Sequence, residues 1–229
     1  MSDLSQSSIS FFIDEFFEKH FGEKPGKLSV ISHSQSIVIH LEDFLLASEK
    51  ILFKQGNSKQ VLETRDFMIF TLKSEILQEL EKITDLHFSE LYADWNLEKG
   101  SGMLLAVTDS SQKADPLPWP SDVDEETVRE IFLINSIYTE KKPDSIHYYW
   151  LNDQYLLIER SGILVDIEKE LIKNGSEEQL RLAKRPMEHR IFKLFNIVGS
   201  LNRAVIELFA DWDFHKDKGY HVLVLKQIE

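Results

Sequence analysis

Apolar and polar positions alternate along this chain in two rhythms, and the order of those rhythms occurs twice. Over residues 8–21, Ile9, Phe12, Ile13, Phe16, Phe17 and Phe21 recur every three or four positions, which predicts an amphipathic helix. Gly22 closes it as a glycine beyond a helix end commonly does, and Pro25-Gly26 makes a turn. Residues 28–31 and 37–41 then read as short strands joined through His33-Ser34-Gln35, a hairpin. A short amphipathic stretch over 46–54 ends at Gln55-Gly56-Asn57. The long helical pattern of Val61, Arg65, Met68, Ile69, Leu72, Ile76, Leu80 and Ile83 follows. Two more strands, 88–95 and 103–107, complete the set. Prolines 116, 118 and 120 then mark residues 109–120 as an extended linker, since none of them fits a helix interior or a central strand. Ser121-Asp122-Val123-Asp124 has the form of a capping box opening the next helix, 125–138.

From there the order begins again. Lys142-Pro143 stands where Lys24-Pro25 stood, and 146–150 with 155–158 repeat the hairpin. Ile167-Glu168-Lys169 matches Ser48-Glu49-Lys50, and Gly175 matches Gly56. The sharpest match closes each unit: Glu90-Leu-Tyr-Ala-Asp-Trp-Asn96 returns as Glu207-Leu-Phe-Ala-Asp-Trp-Asp213, with Lys99 and Gly102 recurring as Lys216 and Gly219. The chain is therefore a tandem duplication, with repeats at 8–108 and 121–229. Each reads α-β-β-α-α-β-β. Hairpins are antiparallel by construction, so each repeat is expected to be an α+β unit, a mostly antiparallel four-stranded sheet with helices on one face. Pro186 interrupts the second long helix and predicts a kink or split near Arg185.

Composition narrows the function classes. Of the 229 residues, 39 are acidic and 26 are Lys or Arg, a formal net charge of −13, which argues against nucleic-acid and anionic-membrane partners. There is no cysteine, so disulfides, thiolate metal sites and thiol nucleophiles are excluded. The first residues carry no basic segment ahead of an apolar run, and no stretch is long enough to span a bilayer. These features point to a soluble cytoplasmic protein without membrane insertion. A homo-oligomer is compatible with them.

The residues also suggest a family. The pattern is Phe21-Gly22-Glu23-Lys24-Pro25 closing the first helix, a hairpin, a short helix at Ser48-Glu49-Lys50-Ile51-Leu52, Arg65 in the long helix, and an Asp-containing final hairpin. It resembles the MpsC-like family, bacterial proteins named for a sodium-translocating, membrane-potential-generating system, here in two copies. The second copy departs from it, with Tyr138-Thr139 at the Phe-Gly position and Lys184-Arg185-Pro186 opposite Thr64-Arg65-Asp66. The resemblance implies a link to membrane energetics and carries no catalytic residues.

No catalytic or cofactor motif is present: no nucleophile elbow, phosphate-binding loop or dinucleotide fingerprint. No cofactor and no metal are expected, because the eight histidines show no compact ligand spacing. His215 and His221 flank a hairpin turn and read as surface residues. In the repeated segment, strand alternation puts Leu91, Ala93 and Trp95 on the core face and Glu90, Tyr92 and Asp94 on the other. Glu90 and Asp94 would lie roughly 13 Å apart along one strand, too far to act as a catalytic pair. Tyr92 with Phe209, and Asp94 with Asp211, are the candidates for a ligand pocket or interface between the repeats. Arg181, Arg185 and Arg190, beside Lys184, form a basic helix face that reads first as solvated and second as an anion or partner contact. The Phe-rich first helix reads as core, with any exposed remainder available for docking. The leading expectation is a non-enzymatic accessory or regulatory protein that contacts another protein. The alternative is a small-molecule binding or sensing module.

Overall fold

In the computed structural model, which describes residues 3–33, 36–108, 117–195 and 197–228, the chain divides into two compact units, 1–114 and 115–229. The first runs α1 (Asp3–Phe21), β1 (Lys27–His33), β2 (Ser36–Glu42), α2 (Ala47–Lys54), α3 (Ser58–Thr84), β3 (Phe88–Asn96) and β4 (Ser101–Thr108). The second runs α4 (Glu125–Thr139), β5 (Ser145–Asn152), β6 (Tyr155–Ser161), α5 (Asp166–Lys173), α6 (Glu177–Phe192), α7 (Val198–Leu201), β7 (Arg203–Asp213) and β8 (Lys218–Gln227). Each unit has one antiparallel four-stranded sheet, ordered β1-β2-β4-β3 and β5-β6-β8-β7. In both, the last strand lies between the two strands that precede it, so the fourth strand of the repeat is central. Part of the predicted linker, residues 109–116, and Ser34 and Gln35 of the first hairpin lie outside the described residues.

The α+β duplication predicted from the residue pattern is what the chain forms. In the first unit Ile9, Ile13, Phe16 and Phe17 of α1 and Val61, Ile69, Ile76 and Leu80 of α3 pack on one sheet face. That face presents Ile37, Ile39 and Leu41 from β2, Leu91, Ala93 and Trp95 from β3, and Leu104 and Ala106 from β4. The alternation read from β3 is correct for its core side.

The repeated Trp and Gly of each unit have a steric reason. A Cβ on Gly102 would come within 2.6 Å of the Trp95 ring, and one on Gly219 within 3.0 Å of Trp212. Trp95 and Trp212 thus pack against the bare backbone of the neighbouring strand, where Gly102 and Gly219 are their register partners. The hairpin beyond is also shared, since Asn96 Oδ1 accepts from the Lys99 amide at 3.2 Å and Asp213 Oδ1 from the Lys216 amide at 2.9 Å.

Helix α4 starts at Glu125 as expected, but its cap is Asp124, whose carboxylate accepts from the Thr127 amide at 3.1 Å, and Ser121 sits in the turn before it. Helix α6 does not split at Arg185 but continues through Pro186 to Phe192, and the break falls between Phe192 and α7. Buried side chains on both sides of the proline, Leu180 and Lys184 before it and Glu188 and Phe192 after it, hold the helix against the sheet through the missing hydrogen bond.

Candidate functional site

The residues singled out from the sequence are placed as follows. Tyr92, Asp94, Phe209 and Asp211 are all buried, so the second side of the repeated strand segment is not a solvated face. Asp94 accepts from the Trp95 amide, and Asp211 from the Trp212 amide, both at 2.8 Å. Arg181 and Asp211, proposed for separate roles, form an ion pair, and the Arg181 guanidinium also lies 5.1 Å from the Phe214 ring centroid. The predicted basic face breaks up: Lys184 and Arg185 are buried, Arg181 is half-buried, and only Arg190 is exposed. His215 is at the surface beside Glu177 as expected, but His221 is fully buried, because position 221 points inward from a central strand.

The buried charges become intelligible when the repeats are laid over each other through strand register. Leu41 and Arg160 occupy one position, opposite Gly102 and Gly219 in their sheets. Leu104 and His221 occupy another, opposite Ala93 and Ala210. In α2, Glu49 accepts from the Leu46 amide, as Glu168 of α5 accepts from Val165. Sixteen residues beyond each glutamate stands its cation, Arg65 or Lys184. The true counterpart of Arg65 is therefore Lys184, not Arg185, which corrects the sequence alignment by one residue. One helical turn further, Ile69 is matched by Glu188. The buried spacing of α1, Ile9-Ile13-Phe16-Phe17, recurs in α4 as Val128-Phe132-Asn135-Ser136 and places Glu140 at the position of Phe21.

Six positions that are apolar in the first repeat, Phe16, Phe17, Phe21, Leu41, Ile69 and Leu104, are thus Asn135, Ser136, Glu140, Arg160, Glu188 and His221 in the second. The core changes accordingly. The first repeat has one continuous apolar cluster. The second has two, one around Phe132, Ile158, Phe192, Leu208 and Leu223, the other around Ile163, Leu180, Ala210 and Trp212. In sequence Arg160 falls between Ile158 of one cluster and Ile163 of the other, and Lys184 and Glu188 fall between Leu180 and Phe192.

The geometry of this layer is a chain of alternating charges. Arg160 donates to Glu188 Oε1 at 2.8 Å and to Ser136 Oγ at 3.2 Å, and it also lies 3.2 Å from Glu140 Oε2. Lys184 Nζ lies 2.6 Å from both Glu140 Oε1 and Glu168 Oε1. Trp212 Nε1 donates to Glu140 Oε1 at 3.2 Å. Arg160 Nη2 is 3.1 Å from His221 Nε2, and Glu188 Oε2 is 3.4 Å from the same nitrogen. An arginine can only donate, so the neutral His221 ring accepts at Nε2 and carries its proton on Nδ1. That Nδ1, both ends of the Asn135 amide, Arg160 Nε and Glu188 Oε2 are buried without a hydrogen-bond partner in the protein.

Burial works against every ion here, and the neighbours decide the outcome. Burial raises the Glu140 carboxyl above its ordinary range, against the opposing charges of Arg160 and Lys184. For Glu188 the burial penalty is outweighed by Arg160 and His221, and the carboxyl is held well below the usual range. His221 is lowered by burial and by Arg160, only partly offset by Glu188. The guanidinium of Arg160 is raised because Glu188 and Glu140 outweigh its burial.

The first repeat offers a different feature at the corresponding place. Arg65 donates to Glu49 through two nitrogens, at 2.8 and 2.6 Å, and packs over the Phe44, Phe21 and Trp95 rings. Beside this pair a cleft of about 240 Å³ opens between the end of α1 and helices α2 and α3, walled by Phe21, Leu52, Val61 and Met68. Among the described residues no group of His, Cys, Asp and Glu is arranged to hold a metal ion.

Motif searching missed the polar layer because its members come from five separate elements with no fixed spacing. The available signal was the duplication itself: charged residues at core-phase positions of one copy where the other is apolar.

Fold and layer together define a class, a duplicated α+β protein in which one copy keeps an apolar core and the other carries internal charge. The pattern of one protein family matches each copy separately, over residues 4–110 and 123–227, and its description is Na+-translocating membrane potential-generating system (MpsC). The chain belongs to the MpsC family, with two family units in tandem. No curated protein and no solved structure matches it.

Proposed function

We infer that the protein is a cytoplasmic, non-catalytic accessory or regulatory component of an ion-translocating membrane system, acting through contact with another protein. The observation that carries this reading is family membership over both repeats, combined with the absence of any described helix long and apolar enough to cross a membrane. A link to membrane potential then runs through a partner that does cross it.

The first repeat offers a surface suited to such contact. Phe11 on α1 is 67% exposed, and Phe67 and Phe70 on α3 are 70% and 79% exposed. Large aromatic side chains this open to water on a protein so acidic elsewhere are the kind that anchor protein interfaces. Phe67 and Phe70 have no role in the core of their own repeat, and their counterparts in the second are Pro186 and His189. A photo-crosslinking residue at position 70, introduced in cells, is expected to capture a membrane-spanning protein, and Phe67→Ser is expected to abolish that capture. Crosslinks confined to other copies of this chain would overturn the accessory reading.

A small-molecule role is favoured by the cleft beside Glu49 and Arg65. Its volume, however, lies below the roughly 300–1,000 Å³ of ordinary ligand pockets. It ranks second for that reason.

A further inference from the structure

We propose that the polar layer of the second repeat is a proton-operated switch, in which a proton arriving on His221 moves Glu188 from Arg160 to the imidazolium and loosens α6 from the sheet. The argument is first one of hydrogen-bond direction. His221 Nε2 has two neighbours, the Arg160 Nη2 donor at 3.1 Å and the Glu188 Oε2 acceptor at 3.4 Å. With the ring neutral, Nε2 accepts from Arg160 and Glu188 Oε2 stays unpartnered. With the ring protonated, Nε2 becomes a donor that faces another donor, and its only favourable neighbour is Glu188. Glu188 sits on α6, while Arg160 and His221 lie on the adjacent strands β6 and β8, so protonation sets two cations 3.1 Å apart beneath the helix, both drawing on its one carboxylate.

The charges around this point come from several elements of the second repeat. Arg160 comes from β6, Glu188 and His189 from α6, Glu140 from the end of α4, and Lys184 with Glu168 lies beyond Glu140. The Phe132 ring of α4 lies 6.2 Å from the imidazole. Tyr148 of β5, near Arg160, is pushed up to about 12 by burial and stays neutral. The first repeat has Leu41, Ile69 and Leu104 at the switch positions and cannot respond in this way.

The direction of the response follows from two groups that are shifted in opposite senses, His221 downward and Glu140 upward. His221 is depressed in the folded state, so its contribution to stability is complete above the unfolded value of about 6.5 and is lost as pH falls below it. Glu140 is raised, so its burial costs stability at high pH, and that cost is relieved as pH falls. The two oppose each other. Glu188 is held low and plays no part until pH drops below the ordinary carboxylate range.

The test is hydrogen exchange of the full chain at pH 7.5 and 5.5, corrected for intrinsic exchange, in wild type and in Glu140→Gln, which removes the opposing group. In Glu140→Gln, protection of α6 and β8 is expected to fall relative to α3 and β4 by about tenfold, the limit for a histidine of unfolded value about 6.5 over this range. Wild type is expected to show a smaller fall. His221→Gln should remove the effect from both backgrounds. Equal changes in the two repeats, or a fall that persists in His221→Gln, would overturn the proposal. Should His221→Gln not fold, imidazole nitrogen NMR of wild type decides. Conversion of the His221 ring to imidazolium in step with the loss of protection is expected, and a ring that stays neutral while α6 loosens rules the switch out.

Discussion

The two repeats share strand order, helix order, the Trp-on-Gly contact and the buried Glu–cation pair, yet at six central positions one has Phe, Leu and Ile and the other three charges, a histidine, an asparagine and a serine. The same backbone therefore does not dictate an apolar core. What it dictates is that inward positions be filled and, if polar, paired. The first repeat satisfies this with hydrocarbon and places one cation, Arg65, against Glu49 and three aromatic rings. The second extends that seed. Once Phe21 becomes Glu140, a second carboxylate faces Lys184, and Arg160, Glu188 and His221 follow as a connected set. A buried network adds little net stability compared with well-packed hydrocarbon, but removing one member leaves a charge uncompensated. The second repeat is therefore the conditional half of the molecule.

Substitutions that break this contrast rank by the charge they strand. Glu188→Ala leaves Arg160 with its main acceptor gone, and a loss of about 3–5 kcal/mol is expected in denaturant unfolding followed at the second repeat. The reciprocal change, Leu41→Arg, puts the second repeat's cation into the first without a partner, and a loss of the same size, about 3–5 kcal/mol, is expected there. Gly102→Ala and Gly219→Ala push a methyl against Trp95 and Trp212. Each should cost about 1–3 kcal/mol, and the two should match because the contact is common to both repeats. Phe67→Ser and Phe70→Ser touch no core, and their effect on melting should stay within about 0.5 kcal/mol while partner capture is lost.

Much of the fold could be read from residue pattern alone. The helical spacing of Ile9 to Phe21, the apolar strands at 37–41 and 103–107, and the recurrence of Glu-Leu-aromatic-Ala-Asp-Trp specify local structure, and two copies cross-check each other. What could not be read depends on which side of an element meets a neighbour. His221 looked like a turn residue because it lies close to Gly219 in sequence, whereas only the β7–β8–β6 register shows it facing inward. Arg185 and Lys184 looked like a surface stripe because basic residues on helices usually are. Pro186 predicts a kink or split in α6 near Arg185, and the helix does not split there because buried side chains on both sides of it outweigh one lost hydrogen bond. The proposed grouping of Arg181, Arg185 and Arg190 assumed one shared environment, and the three lie in three different ones.

The most direct measurement compares Arg160→Leu alone with the triple replacement Arg160→Leu, Glu188→Ile and His221→Leu, which gives the second repeat the first repeat's residues at three positions of the layer. Unfolding monitored by hydrogen exchange of α6 and β8 should show the single variant less stable by about 3–5 kcal/mol and the triple variant restored to wild-type stability or above it. Losses that simply add across the three substitutions would contradict the account, because the layer would then be a set of independent contacts rather than one network standing in for an apolar core.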